Sequence, residues 1–121
     1  MSTQGSQEML VIDTALLEEL RDVMDDEFVE LVDAFESDTR HRFGLLEQAI
    51  AAEDSESLRT TAHSMKGGAM GMGAVGLSRR FRGLELRGRE SSFRDIDVEL
   101  ENAKRSFDET LGQLRDWMLR H

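Results

Sequence analysis

No proline occurs anywhere in the 121 residues, and apolar side chains recur at three- and four-residue spacing through most of them. Proline interrupts a helix more sharply than any other residue, because its ring removes a donor and clashes with the preceding turn. A chain without it, dominated by Leu, Glu, Asp, Arg and Ala, leans towards helix along its whole length. No segment shows the period-two alternation of a half-buried strand. The reading is all-α.

Asp13 suits the N-cap of a first helix carrying Leu16, Leu17, Leu20 and Met24 at helical spacing, and Asp25 and Asp26 can start the next. Phe28, Leu31, Val32, Phe35, Leu45, Leu46, Ala49 and Ile50 then trace a long amphipathic helix ending near Ala52. Asp54 or Ser55 caps a third, whose inward positions are Leu58, Ala62, Met65 and Ala69. Leu77, Phe81 and Leu84 repeat that spacing in a fourth. After a loop through Ser91 and Ser92 the fifth begins near Asp95, with Leu100, Ala103, Phe107, Leu111, Leu114 and Met118 inward. The methionines and Trp117 fall at or beside core spacing and are read as packing. Four substantial antiparallel helices with short connections bury their stripes most simply as an up-and-down four-helix bundle, the short first helix capping one end. Residues 1–10 are polar and aperiodic and are expected to form a flexible tail; 11–121 form the domain.

The net charge of −10 argues against nucleic acid as a partner, since binding a polyanion relies on Lys and Arg displacing its counterions. The charge is uneven, however. Between Arg59 and Arg94 eight basic residues face two acids, a local +6 within a chain that is about −16 elsewhere. A basic belt on an acidic body suits a protein partner with a negative contact surface. Without cysteine there is no disulfide framework and no thiolate metal site. No apolar run reaches the roughly 18 to 20 residues of a membrane span, and nothing near Met1 resembles an export signal, so a cytoplasmic location is expected.

Several motifs are set aside on context. Gly71, Gly73 and Gly76 spell G-x-G-x-x-G, but a helix precedes them where a dinucleotide site needs a strand. Lys66 comes before its glycines, so there is no P-loop, no ATP site and no kinase activity of the chain's own. His41, His63 and His121 lie on separate segments without carboxylates at ligand spacing, so no metal is expected, and His41 is read as a solvated surface residue. Ser64 has no acid-base partner at a diagnostic spacing.

His63 is the exception. On a wheel of about 100° per residue it points roughly 130° from the centre of the third helix's core stripe. It is therefore a solvent-facing imidazole, with Arg59, Lys66, Gly67 and Met70 at i−4, i+3, i+4 and i+7. Lys66 offers an ammonium group beside the ring and Gly67 leaves an empty patch. Seven of the ten glycines lie between Gly67 and Gly88, each costing about 1 kcal/mol in a helix relative to alanine. Either the backbone turns sharply near Gly71 to Gly76, or something approaches a helix surface closely at Gly67. A neutral imidazole is nucleophilic near physiological pH.

His63, Ser64, Met65, Lys66 and Gly67, then Gly73-Ala74 and Leu84-Glu85, resemble the histidine-phosphotransfer (HPt) family in residue type and order. The helix layout extends the likeness from about Ile12 to Arg120. The resemblance implies a free-standing, monomeric four-helix bundle whose exposed His63 accepts a phosphoryl group from a receiver-domain aspartate of a hybrid sensor kinase. It then passes that group to the receiver domain of a response regulator. On the same footing Lys66 neutralises phosphate charge and Gly67 admits the partner. From the belt and the helix faces, Arg59, Met70, Arg79 and Arg82 are candidate docking residues, though Met70 equally suits filling the bundle end and the arginines equally suit pairing with the chain's own acids. No cofactor is implied, the magnesium belonging to the receiver. Met70 stands where the family usually has a small residue, and Gly71 where it has a polar one. The alternatives are a module that binds a receiver without transfer, which would not need the nucleophile, and a phosphotransfer segment of a chemotaxis-type kinase. That last reading is weakened by Ser64 standing where an acid is usual.

Overall fold

Asp13 opens the first helix as its position predicts: its side chain accepts a hydrogen bond from the Leu16 amide at 3.2 Å. In this computed structural model, which describes residues 11–121, five helices follow in order. They are α1 (Thr14–Met24), α2 (Glu27–Ala51), α3 (Ser55–Gly71), α4 (Val75–Arg89) and α5 (Ile96–Arg120). The tail expected over residues 1–10 lies outside the described residues. Asp54 caps α3 by accepting from the Ser57 amide, satisfying a donor that the first turn leaves without an intrahelical partner. Among the described residues, four other than glycine take positive φ, and all sit at or between helix ends: Asp25, Glu53, Ser91 and Asp95.

Each helix from α2 to α5 packs on the next, and α5 closes back on α2, giving the four-helix bundle that the stripes predict. Leu58, Ala62, Met65 and Ala69 of α3 are all buried, as are Leu77, Phe81 and Leu84 of α4. Phe43 sits between Phe81 and Phe107, with ring centroids 5.7 Å from each, and these rings centre the main core. Beneath α1 a second cluster of Ile12, Leu17, Phe28, Val32, Met72, Leu114 and Trp117 plugs one end, so α1 is the expected cap.

The stripe of α2 departs from its prediction in the middle. Leu45 was expected inward and is 36% exposed, while Thr39 and Phe43 are buried. The buried positions run 28, 32, 39, 43, 46 and 49, a continuous helical face. Leu45 lies two residues past Phe43, about 200° around the helix and so on its far side. The rest of the predicted stripe is buried or half-buried; only Leu45 is misplaced, and Thr39 and Phe43 are the inward residues it left out.

Two glycines have structural reasons. Gly73 takes φ +70° in the sharp turn between α3 and α4, and its carbonyl accepts from the Asp13 amide at 2.7 Å, tying the start of α1 to that turn. Gly88 lets α3 and α4 touch backbone to backbone, since a Cβ there would lie 2.7 Å from the Arg59 nitrogen. Gly44, mid-α2, has nothing within 4 Å of its would-be Cβ. Gly88→Ala should therefore destabilise by about 1–3 kcal/mol through overpacking. Gly44→Ala should stabilise by about 0.5–1 kcal/mol through helix propensity. Thermal melts of the two variants check the pair: equal shifts would mean the α3–α4 contact at Gly88 is not close.

Candidate functional site

The close approach at Gly88 sets what the next turns of α3 and α4 can do. The helices run antiparallel, so moving along α3 from Arg59 past His63 to Lys66 means moving back along α4 from Gly88 to Glu85. Ala62 and Met65 face the core, which turns the intervening His63 outward, its side chain 62% exposed. Glu85 is the reverse case, a carboxylate only 2% exposed. It lies four residues after Phe81 and eight after Leu77, on the flank of α4's buried stripe, and its carboxylate reaches across to α3.

A buried carboxylate is costly unless it is paired and hydrogen-bonded. Here Oε2 of Glu85 lies 2.8 Å from Nδ1 of His63, and Nζ of Lys66 donates to Oε1 at 2.7 Å. Nη2 of Arg89, one turn along α4, stands 3.4 Å from Oε2. The Lys66 hydrogen bond is the main cause that brings the Glu85 carboxyl down to about 2 against the opposing effect of burial, and the His63 hydrogen bond adds to it. Glu85 is thus ionised at neutral pH, and an ionised carboxylate can only accept. Nδ1 of His63 must carry the hydrogen. In the uncharged ring, the lone pair is then on Nε2.

The residues singled out from sequence divide into two groups. Lys66, Met70, Arg79 and Arg82 line one open groove between α3 and α4, together with Ser78, Glu85, Leu86 and Arg89. Met70 is 59% and Leu86 45% exposed. A Cβ at Gly67 would meet nothing within 4 Å, so the surface one turn past His63 is open, as its sequence position suggested. Arg59 does not join the groove lining; its guanidinium pairs with Glu56 at 2.9 Å. Arg87 turns away to Glu99, so the basic belt is not one continuous surface. Sequence reasoning missed two members of the site, Glu85 as the partner of His63 and Arg89. The available signals were a lone acid on the flank of an apolar stripe, and a cation at i+4 from it.

Because its folded pKa is depressed, Glu85 stabilises the fold fully above its ordinary value of 4.5 and loses that contribution as pH falls towards about 2. Glu85→Gln should then lower stability at pH 7 by about 1–3 kcal/mol, the scale of an unmatched buried polar group. The gap to the wild type should narrow between pH 4.5 and 2. Melting curves across that range measure it; a gap constant down to pH 2 would show that the ionised carboxylate is not what stabilises the pairing.

Residues 30–117 match the family model of the Hpt domain, a span that includes His63, Lys66, Gly67 and Glu85. Among solved structures, the crystal structure of histidine-containing phosphotransfer protein B (HptB) from Pseudomonas aeruginosa PAO1 superposes with a TM-score of 0.86 at 33% sequence identity, covering 93% of this chain and 98% of that one. No curated protein sequence matches the chain significantly. No helix among the described residues is long and apolar enough to cross a membrane. A helical bundle of this topology, matched by family and by structure, places the chain in the Hpt domain family, with a histidine-phosphotransfer role in a phosphorelay.

Proposed function

We propose that His63 is the phosphoryl acceptor, receiving the group from a receiver-domain aspartate of a hybrid sensor kinase and passing it to the receiver domain of a response regulator. The observation that carries this reading is the contact between Nδ1 of His63 and the buried Glu85 carboxylate at 2.8 Å. An imidazole that only touched a partner would not need one nitrogen anchored and the other left to solvent.

The step balances on these atoms. The Nε2 lone pair attacks the phosphorus of the receiver's aspartyl phosphate, the bond from phosphorus to the carboxylate oxygen breaks, and the aspartate leaves as a carboxylate. The ring now carries phosphorus on Nε2 and hydrogen on Nδ1, and its positive charge faces Glu85. Return of the group to a second aspartate reverses the same bonds. In-line placement and charge stabilisation dominate such transfers, so the carrier supplies a fixed nucleophile and a cation. Lys66, one turn from His63, is that cation; its ammonium is shared between Glu85 and the approaching phosphoryl oxygens. Gly67 leaves room for the receiver's loops. The chain uses no cofactor of its own, and magnesium is carried by the receiver. It is a phosphoryl carrier rather than a kinase.

Incubation with phosphorylated receiver domains tests the reading. His63→Gln should abolish acid-labile, alkali-stable labelling while changing stability by about 1 kcal/mol or less, the scale of one hydrogen bond. Label persisting at another residue would overturn the assignment. Gly67→Trp, facing open space, should block transfer from a receiver while the melting temperature moves little. Transfer at the wild-type rate would place the approach surface elsewhere.

A further inference from the structure

A cleft of about 480 Å³ opens between the C-terminal end of α2 and the N-terminal end of α5. Each helix from α2 to α5 packs on the next and α5 closes back on α2, so this side of the bundle lies opposite the α3–α4 side that carries His63. Its floor is apolar: Ile96 and Leu100 of α5 are buried, while Ile50 of α2 and Phe93 are only partly so. Its rim is acidic. Glu47, Glu53 and Asp97 line it, and no cation among the described residues does.

Glu47 is held by Lys104 at 3.1 Å, but among the described residues Glu53 and Asp97 pair with no cation. Asp97 has a local reason, since an acid in the first turn of α5 complements the helix dipole. Glu53 has none. The end of α2 is a Schellman motif, in which the Asp54 amide donates to the Ala49 carbonyl at 2.8 Å and the Glu53 amide to the Ile50 carbonyl at 3.1 Å. Glu53 is its left-handed residue, at φ +50°, a place that glycine usually takes because a Cβ is disfavoured there. At the turn between α3 and α4 this chain does use glycine, Gly73. After α2 it instead keeps a carboxylate, at a conformational cost, on the rim of an apolar cleft.

We infer that this cleft is a second docking site, seating a segment of a partner protein in which an apolar side chain is flanked by lysine or arginine. Charge complementarity selects that occupant. The apolar side chain covers Ile50 and Phe93, where burial contributes in proportion to area. Its cationic neighbours meet Glu53 and Asp97, which reject an acidic segment. A bare cation would leave the apolar floor unused, and an anionic membrane surface would be repelled by the rim. On the acceptor reading above, a partner seated here leaves His63 uncovered. It would then hold the carrier close while receivers exchange, raising its effective concentration beside them.

The probes are three fluorescent peptides of equal length: phenylalanine flanked by arginines, phenylalanine flanked by glutamates, and serine flanked by arginines. Binding to the full chain is titrated by anisotropy and mapped by amide chemical shifts. The first peptide should bind about tenfold or more tighter than either of the others at 0.1 M salt. Its advantage over the acidic peptide should shrink at 1 M as the Debye length falls from about 10 to 3 Å. The shifts should centre on Ile50, Glu53, Phe93 and Asp97 and spare His63 and Gly67. Glu53→Gln and Glu53→Gly should each weaken the first peptide by about threefold, the scale of one exposed ion pair. Glu53→Gly, which relieves the left-handed backbone, should do so with a melting temperature at or above the wild-type value. Equal affinity for the basic and acidic peptides, equally tight binding of the serine peptide, or shifts spread over other acidic surfaces would overturn the inference. Self-association that Glu53→Gln abolishes, seen by sedimentation, would give the cleft to a second copy of the chain instead. The cleft and the acceptor reading fail separately, because His63→Gln should take no phosphoryl label yet bind the first peptide as the wild type does.

Discussion

The carboxylate of Glu85 is the point on which the rest of the site depends. It is buried, charged and satisfied from the facing helix, so it fixes the register of α3 against α4 as well as the ring of His63. The helices meet backbone to backbone at Gly88 and Arg59, and one turn away Glu85 spans the two residues His63 and Lys66. A slip of either helix by one turn would carry the carboxylate away from both partners and leave an unpaired charge in the interior, at a cost of several kcal/mol. Apolar stripes tolerate small sliding far better than that. The chemistry of the site and the specificity of the packing are therefore held by the same oxygen atoms.

Much of the fold was legible because it follows from one-dimensional periodicity. Leu58, Ala62, Met65 and Ala69 announce the inner face of α3, and the exposure of His63 follows from that face alone. Glu85 was legible only as a residue type at a position, in the pair Leu84-Glu85. Its role depends on what α3 presents across the interface, which no spacing within α4 contains. Likewise Arg59 has the sequence neighbours of a docking residue, yet Glu56 lies one turn before it on α3 and takes its guanidinium. Arg87 is drawn to Glu99 on α5. Runs of charge indicate that a basic surface exists; three-dimensional pairing decides which of its members are engaged within the fold. The error in α2 was local, since Thr39 and Phe43 continue the buried face between Val32 and Leu46, where the sequence reading took Leu45 instead.

The glycine-rich stretch resolves into positions with different causes. Gly73 and Gly88 answer to the fold, one through its φ and one through the approach of another backbone. Gly67, Gly68 and Gly71 answer to nothing inside the molecule, because the space where their Cβ atoms would stand is open. A helix that carries three glycines without an internal reason gives up helix propensity on the side of its exposed histidine. That loss is intelligible at Gly67 if the empty patch is filled only in a complex. Nothing in the structure explains Gly68 or Gly71.

His63, Lys66 and the buried Glu85 all lie on α3 and α4, whereas α2 and α5 contribute core and internally paired charge. If a receiver covers that face while it exchanges a phosphoryl group with His63, a second receiver cannot engage until the first has left.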